Sequence, residues 1–574
     1  MILQETKNKD FVTVKAEDIK EVSFLEKFPG LLSERNSPVF YLPAKHNVAY
    51  NIYTRLIAKK QKLRYTPFVK SLVEERPQLL ELPEGFEFYT QPLSHQRLAL
   101  RYAYTYKNFG LLLEPGLGKT KVVLDYLWLE RFKLSLVVCP KALLFVWEEE
   151  CAKHRPEIVP YVFKTTDFDV EWAEARRVGA TLLVINYDKA VRLKEGLAGL
   201  PVEFCALDEG LIKDHTTERT KALTELSRGI PGRAIMSGTL VNNSPLDVFA
   251  PTRFMEPSLT SLSVTKFKER YCVMAPKNKN ILIGFKDVPE IRSILEACSI
   301  VMTKAEWLKD LPRKVFHQVR VQLSDEQRRV YYELMRNYTV QLDNGEWLEV
   351  DIPLTAVAKL AQISSGFVYY RQEDDAELFS DEPPAKTVGP RETYYFKDQP
   401  KIGALLRLVG PGGQVHGRRA IIWFNMTAER VLVEEALTRA GYKFVVVAGG
   451  EKAIGKKVQA FNSDNSIAFF LAQAQSVNYG VTVLGHDKDD FKVEAELTTT
   501  VSDQIFYSLG YSLERYLQQQ DRIHRIGQTQ ECNYWNLISN TPIDEKVVAA
   551  LEDKLSVSQE MLVDCIRDKR VCVV

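Results

Sequence analysis

The sequence predicts an α/β protein with two parallel-sheet units, a helical insertion between them and a small α+β module at the N-terminus. Two observations lead to this prediction. The chain has 574 residues, which exceeds a single hydrophobic core and suggests three to four folding units. Short apolar runs that end in polar residues alternate with helical stretches in two separate parts of the chain, as in buried parallel strands.

The apolar runs form two series. The first comprises residues 135–140, 182–186 and 204–208, and the second comprises residues 420–425, 444–448 and 467–472. A helical segment over Ala428 to Ala440 separates two strands of the second series. We therefore predict an N-terminal module at 1–90, a first sheet unit at 91–253, a helical protrusion and linker at 254–399, and a second sheet unit at 400–574.

The N-terminal module and the middle region have their own local signals. A strand is predicted over Val39 to Pro43 and a helix from about Asn47, followed by a basic cluster of Lys59, Lys60, Lys62 and Arg64. The middle region reads as helical, notably over residues 323–338, and its acidic, proline-bearing stretch at 372–384 is predicted to be a solvated loop.

Composition limits the classes of protein that need to be considered. Lys plus Arg number 76 and Asp plus Glu number 75, a net charge of +1, so any nucleic-acid contact must come from a local groove. The eight cysteines form no CxxC pair, which indicates reduced thiols and neither a zinc ribbon nor a disulfide framework. The N-terminus has no apolar signal segment and no apolar run reaches membrane-spanning length. We expect a soluble protein that is not secreted.

A glycine-rich loop carries the first chemical signal. LEPGLGKT, residues 113–120, follows a predicted strand and precedes a predicted helix. Gly116 and Gly118 would let backbone N–H groups close on phosphate oxygens, Lys119 would reach the terminal phosphates, and the Thr120 hydroxyl could ligate Mg²⁺. In this strand–loop–helix setting, a glycine turn with a surface lysine is the weaker interpretation.

Two carboxylates provide the second signal. Asp208 and Glu209 follow the apolar run FCAL, at the strand end where open α/β sheets bind ligands. Asp208 would hold Mg²⁺ through water, and Glu209 would polarise the attacking water. Such a pair alone is usually an ordinary loop start, but the phosphate loop upstream favours a catalytic role.

A third signal lies in ERYLQQQDRIHRIGQ near the C-terminus. Helical spacing would place Gln518, Arg522 and Arg525 on one face, and an arginine pair could stabilise charge on a γ-phosphate in the transition state. A basic helix face is the simpler alternative. We interpret His524, between the arginines, as structural.

These segments together resemble the Swi/Snf branch of helicase superfamily two. The resemblance rests on LSHQRLALRYAY, VVCPKALLFVWEEE, DEGLIKD, SGTLVNNSPLDVF, AKLAQISSGFV, AIIWFNMTAERVLVEEAL, SVNYGVTVL and QQQDRIHRIGQ in this order, and it covers about residues 90–555. It implies two RecA-like domains, ATP and Mg²⁺ as cofactors, and duplex or branched DNA as the partner. It also implies nucleotide contacts at Gln96, Leu117, Gly480 and Gln518 and nucleic-acid contacts at Pro140, Lys141, Asn425 and Thr482.

Three departures from the family pattern stand out. Leu211 occupies the position where the family usually has histidine, which puts coupling in doubt more than binding. Pro115 replaces a common methionine in the phosphate loop, where backbone groups do the binding, so little effect is expected. The stretch at 486–496 looks inserted.

The resemblance implies an ATP-driven motor that moves along double-stranded DNA and remodels forks, junctions or protein–DNA complexes. A motor that displaces RNA polymerase, a nucleotide-gated DNA clamp that hydrolyses poorly, and an RNA helicase are the alternatives. The N-terminal module could contact DNA or a protein partner. We expect no membrane association, and a cytoplasmic location in a bacterial or virus-infected cell, or a nuclear one in a eukaryote.

Overall fold

The computed structural model describes residues 2–6, 11–16, 25, 31–33, 39–43, 46–59, 64–66, 69–70, 78–210, 212, 215–238, 245–260, 262–275, 278–350, 353–371, 392–449, 454–474 and 501–553. The chain divides into two compact units, the first ending at Trp307 and the second beginning at Leu308. None of the helices in these ranges combines the length and apolar character needed to cross a bilayer.

The first unit begins with a small mixed sheet and a helix. Its elements are β1 (Ile2–Glu5), β2 (Phe11–Lys15), β3 (Leu32–Ser33), β4 (Val39–Pro43), α1 (His46–Ala58) and β5 (Arg64–Tyr65). The strand order is β3-β4-β2-β1-β5, with β1 and β5 parallel and the other pairs antiparallel. The predicted strand at Val39–Pro43 and the helix after it are confirmed.

A seven-stranded sheet forms the centre of the first unit. Its strands, and a hairpin outside it, are β6 (Asn108–Leu113), β7 (Ser135–Cys139), β8 (Pro160–Val162), β9 (Leu182–Asn186), β10 (Phe204–Asp208), β11 (Gly232–Met236), the hairpin β12 (Cys272–Ala275) and β13 (Asn278–Phe285), and β14 (Ser299–Met302). The sheet order is β14-β6-β11-β10-β7-β9-β8, and every pair is parallel.

Helices cover this sheet and connect its strands. They are α2 (Ser94–Tyr106), α3 (Lys119–Glu130), α4 (Leu144–His154), α5 (Phe168–Arg177), α6 (Tyr187–Arg192), α7 (Lys194–Ala198), α8 (Glu218–Ser227), α9 (Phe249–Met255), α10 (Val264–Tyr271), α11 (Val288–Glu296) and α12 (Lys304–Trp307). The strands β7, β9 and β10 are buried along their whole length, because a parallel sheet is covered on both faces.

Charged side chains join the N-terminal module to the rest of the first unit. On α1, Arg55 pairs with Glu290 of α11 at 3.0 Å, and both side chains are buried. Arg270 pairs with the same carboxylate at 2.7 Å. Lys59, a member of the predicted basic cluster, pairs with Asp287 at 3.0 Å. The basic side chains at the end of α1 and just after it, Arg55 and Lys59, are therefore paired with carboxylates within the unit.

The second unit contains another parallel sheet and a helical part with two antiparallel strand pairs. Its strands are β15 (Lys314–Val321), β16 (Thr339–Gln341), β17 (Trp347–Glu349), β18 (Phe367–Arg371), β19 (Glu392–Tyr395), β20 (Ala420–Phe424), β21 (Phe444–Val447), β22 (Phe469–Gln473), β23 (Asp503–Phe506) and β24 (Cys532–Ser539). The sheet order is β15-β24-β23-β20-β22-β21, and all pairs in it are parallel.

The helices of the second unit are α13 (Asp325–Asn337), α14 (Pro353–Ser364), α15 (Pro400–Val409), α16 (Thr427–Arg439), α17 (Ile454–Ser463) and α18 (Leu513–Gln520). A further helix covers 542–553. The start of α13 shows why the predicted helix forms: the Ser324 hydroxyl accepts from the Gln327 N–H, and the Gln327 side chain accepts from the Ser324 N–H. This capping box satisfies two backbone donors.

The predicted α/β class with two parallel sheets is confirmed, and the six strands of the two predicted series are present within a residue or two of their expected bounds. The middle region contains the predicted helices α13 and α14 and, in addition, strands that were not predicted. Of these, β14 lies in the first sheet and β15 in the second. The domain boundaries at 90, 253 and 399 stay predictions. The acidic stretch at 372–384 and the insertion at 486–496 lie outside the described residues.

Candidate functional site

The phosphate loop connects β6 to α3 as predicted. Gly116 and Gly118 have φ angles of 93° and 80°, a left-handed conformation that glycine adopts without steric cost. Lys119 is the first residue of α3, and its Nζ donates to the backbone oxygen of Leu113 at 3.0 Å. The loop therefore places backbone N–H groups and a lysine at a helix N-terminus, where an anion is favoured.

Two side chains of α2 contact the backbone of this loop. Gln96 Nε2 donates to the Leu117 oxygen at 3.3 Å, and Gln96 Oε1 accepts from the Leu93 N–H at 3.0 Å. His95 Nε2 lies 2.9 Å from the same Leu117 oxygen, so Nε2 carries the hydrogen because a carbonyl can only accept. Burial lowers the pKa of His95, and the bond to Leu117 opposes that shift in part. The predicted nucleotide residues Gln96 and Leu117 are thus in direct contact.

Asp208 and Glu209 lie two strands away from the phosphate loop in the same sheet. Asp208 ends β10 and is buried. Its Oδ2 accepts from the indole N–H of Trp147 at 3.0 Å, and its backbone oxygen accepts from the Tyr187 hydroxyl at 2.8 Å. Glu209 has a φ of 59°, an uncommon left-handed conformation for a residue other than glycine.

The electrostatics of this pair favour a bound cation. Burial, and next the negative charge of Glu209, raise the pKa of Asp208 to about 7, while Lys119 and the Trp147 hydrogen bond oppose the shift. The same Asp208 charge adds to burial in raising the pKa of the Cys139 thiol. A buried carboxylate of this kind is costly in its ionised form unless a positive charge lies beside it.

The end of β11 lies between the loop and the carboxylates. The Ser237 N–H donates to the Leu111 oxygen at 3.1 Å. Gly238 is packed against Pro115, since a Cβ at Gly238 would be 2.6 Å from Pro115 Cδ. Pro115, which departs from the family pattern, therefore packs against position 238, where only glycine fits.

The predicted nucleic-acid residues of the first unit follow β7. Pro140 is buried and precedes a 3-10 turn, and Lys141 begins this turn and is exposed. The charge of Lys141 contributes to a lowered pKa of Lys189, of which burial is the main cause. Lys141 thus carries a solvent-accessible positive charge at the carboxyl end of the sheet.

In the second unit, Asn425 follows β20 and is buried. Its side-chain Nδ2 donates to the Ser508 oxygen at 3.1 Å and to Ser508 Oγ at 2.9 Å. Its backbone N–H donates to Glu429 Oε2, and its backbone oxygen accepts from Gln473. These contacts fix the loop that follows β20, and direct contact of Asn425 with nucleic acid stays a prediction.

The C-terminal arginine segment differs from the helix that spacing predicted. The helix α18 ends at Gln520, so Gln518 is helical while Arg522 and Arg525 lie in the turns that follow. The reason is tertiary contact: Asp521 pairs with Lys314 at 3.2 Å, and His524 Nε2 donates to the Pro312 oxygen at 2.9 Å. A structural role for His524 stays a prediction, and this hydrogen bond to the main chain is its contact in the structure.

Some predicted residues lie outside the part of the chain that the structure describes, and some residues at the site were not predicted. Gly480 and Thr482, and Leu211, lie outside the described residues. Trp147, Tyr187 and His95 contact the site but were not predicted. The sequence offered little signal for Trp147, because its hydrogen bond to Asp208 joins residues 61 positions apart.

The residues present fit a magnesium ion that arrives with the nucleotide. Such an ion needs only one or two protein ligands, because phosphates and waters supply the others. Thr120, at the start of α3, and the buried Asp208 carboxylate provide suitable oxygens. Among the residues that the structure describes, no cluster of three or more His, Cys, Asp or Glu side chains could hold an ion without the nucleotide.

A parallel sheet with a glycine loop at a helix N-terminus, and with an Asp-Glu pair at a neighbouring strand end, defines the phosphate-loop class of nucleotide hydrolases. Residues 95–365 match a protein family described as the SNF2-related domain. This part of the chain therefore resembles the SNF2-related, helicase-like ATPases.

Several curated proteins are similar to this chain. The TATA-binding protein-associated factor mot1 of Schizosaccharomyces pombe is 23% identical over 469 residues, 75% of this chain and 23% of that protein. The chromatin structure-remodeling complex subunit snf21 of the same yeast is 22% identical over 516 residues, 86% of this chain and 40% of that protein. The chain therefore spans less than half the length of these two relatives.

A solved structure, the Sulfolobus solfataricus SWI2/SNF2 ATPase core in complex with dsDNA, is also similar. The two chains are 19% identical, the match covers 85% of this chain and 96% of the solved chain, and the TM-score is 0.39.

Proposed function

We propose that the chain is an ATP-dependent translocase of double-stranded DNA that remodels forks, junctions or protein–DNA complexes. The match of residues 95–365 to the SNF2-related domain supports the motor activity. DNA as the partner is inferred from relatives named for chromatin structure remodelling and for association with the TATA-binding protein, and from the motif resemblance.

The observation that carries the ATPase part of this proposal is the geometry of the phosphate loop. Gly116 and Gly118 are left-handed, Lys119 starts the helix, and Gln96 contacts the loop directly. These features together form an anion site at a helix N-terminus that is closed on one side by an amide. A glycine turn without a ligand would not require both the conformation and the amide contact.

The chain's own residues can then assist hydrolysis. Lys119 Nζ would exchange its bond to the Leu113 oxygen for the terminal phosphates, and Thr120 and Asp208 would hold the magnesium ion. When bound, magnesium supplies positive charge that stabilises the phosphate oxygens in the transition state. Glu209 orients and polarises the attacking water. Arg522 and Arg525 stabilise charge that develops on the γ-phosphate, as the resemblance implies.

Movement along DNA follows from a difference in DNA affinity between nucleotide states. The exposed Lys141 is suited to contact a phosphate of the DNA backbone. Because phosphate contacts carry no sequence information, we expect weak sequence specificity and strong salt sensitivity.

The experiment is ATP turnover without nucleic acid and with single-stranded DNA, blunt duplex, forked DNA and RNA. Lys119→Ala and Glu209→Gln serve as controls. We expect duplex or forked DNA to stimulate turnover strongly and both variants to abolish it. Negligible turnover despite ATP-dependent DNA binding would overturn the translocase and favour a DNA clamp, and stimulation by RNA alone would favour an RNA helicase.

A further inference from the structure

The buried hydrogen bond between Trp147 and Asp208 joins two parts of the first unit. Trp147 lies on α4 and is 1% exposed, and Asp208 lies at the end of β10 and is 4% exposed. The indole Nε1 donates to Asp208 Oδ2 at 3.0 Å. Because α4 follows the turn that begins at Lys141, this bond connects that turn with the carboxylate.

The indole restrains Oδ2 of the carboxylate, and the backbone N–H of Glu209 also donates to this side chain. The Tyr187 hydroxyl holds the backbone oxygen of Asp208 at 2.8 Å, so the main chain and the side chain of Asp208 are both fixed. The indole and backbone donors to the side chain are both neutral N–H groups, which orient the carboxylate without neutralising its charge. An arginine or lysine in that place would compete with a metal ion.

We propose that Trp147 is a positioning residue for the nucleotide-bound magnesium ion, because its indole N–H orients the Asp208 carboxylate toward the metal. This inference rests on the proposed function, in which Asp208 binds the ion. Hydrogen-bond partners that orient a metal ligand typically contribute about 10- to 100-fold to metal affinity or activity.

A packing role alone predicts a different pattern of variants. Trp147→Phe keeps most of the apolar volume and loses the N–H donor, whereas Trp147→His keeps a ring N–H and loses volume. If Trp147 only fills the core, the Phe variant should retain more function than the His variant. If it orients Asp208, the His variant should bind metal more tightly than the Phe variant, even if it is less stable.

The test is Mn²⁺ binding, measured by electron paramagnetic resonance with a non-hydrolysable ATP analogue. We expect Trp147→Phe to weaken Mn²⁺ binding about tenfold or more, while binding of the analogue in EDTA stays unchanged. Excess Mg²⁺ should restore part of the turnover. Trp423→Phe is the matched control, since Trp423 is equally buried and donates to Gln504 at 3.1 Å, and it should leave Mn²⁺ binding unchanged.

Unchanged Mn²⁺ binding in Trp147→Phe, or tighter binding in that variant than in Trp147→His, would overturn the inference. If neither variant folds, the NMR signals of ¹⁵N-labelled indoles are measured in the wild-type protein instead. The inference requires that Mn²⁺ bound with the analogue broadens the signal of one buried indole, and the absence of any broadening would overturn the inference. Wild-type protein that binds Mn²⁺ and nucleotide without DNA-stimulated turnover would contradict the proposed function and leave this inference standing.

Discussion

The side-chain amide of Gln96 occupies the space that a Cβ on Gly118 would need, 2.2 Å from its ideal position. Gly118 therefore meets two requirements at once, a left-handed φ of 80° and the absence of a side chain. This contact connects the amide of Gln96, which is predicted to contact the nucleotide, with the loop that is predicted to hold phosphate.

Gly118→Ala should weaken ATP binding by at least about tenfold, since the backbone strain and the clash with Gln96 both distort the loop. Binding of a fluorescent ATP analogue measures the effect. Gly179→Ala is the matched control, because Gly179 has a φ of 69° and no atom lies within 4 Å of the place its Cβ would take. It introduces a similar strain without a clash, and equal loss of ATP binding in the two variants would contradict this interpretation.

Gly238→Ala should destabilise the first unit by about 1–3 kcal/mol, because its methyl group would overlap the Pro115 ring. Pro115→Ala opens that space, so the double variant should be more stable than the sum of the two single effects predicts. Urea unfolding of the four proteins gives the coupling energy. Gly229→Ala, with nothing within 4 Å, is the control, and strict additivity of Gly238→Ala and Pro115→Ala would show that the contact is unimportant.

Asp208→Asn should change how the stability of the metal-free protein depends on pH. The folded-state pKa of Asp208 is raised from 3.8 to about 7, so between these values the folded state holds more protons than the unfolded state. Stability from this group is present at low pH and is lost as pH rises toward 7, with a slope of up to about 1.4 kcal/mol per pH unit. Asp208→Asn should therefore stabilise the protein more at pH 8 than at pH 5.

The control for that measurement is Asp464→Asn. Hydrogen bonds from Ser466 lower the pKa of Asp464, so its contribution is lost only as pH falls below the ordinary carboxyl range. Between pH 5 and 8 this variant should change the melting temperature by a constant amount. A constant difference for Asp208→Asn over the same range would contradict the raised pKa.

Glu290→Ala should destabilise the first unit by about 3–5 kcal/mol, because it leaves the buried Arg55 without its carboxylate. The melting temperature measures the loss. Glu269→Ala, at an exposed position nearby in sequence, should change stability by no more than about 0.5 kcal/mol. Similar small effects in both variants would mean that the N-terminal module is not held by this ion pair.

Much of the fold could be predicted because most strands of the two parallel sheets leave a local pattern in the sequence. Runs such as residues 204–207 and 420–424 are short and apolar, and the strands that contain them are buried along their length. Burial on both faces leaves this pattern in the sequence. The strand β15 escaped prediction. Its residues range from half-buried to exposed at most positions, so it lacks the continuous apolar run of the central strands.

The candidate site was predictable where one segment carries it and less so where distant segments meet. The phosphate loop and the strand end at Asp208 are local patterns. By contrast, α18 ends at Gln520 because Asp521 and His524 contact Lys314 and Pro312, about 210 positions away in the chain. The partners of Asp208 likewise depend on tertiary packing, which periodicity cannot show.

The most direct test of translocation is displacement of a third strand from a duplex by the full chain. A triplex-forming oligonucleotide is bound at one end of a blunt duplex, and its release is followed with ATP, with a non-hydrolysable analogue, and with Lys119→Ala. We predict release only with wild-type protein and ATP, at a rate that falls as salt rises. ATP turnover without release of the third strand would contradict the proposal that this chain moves along DNA.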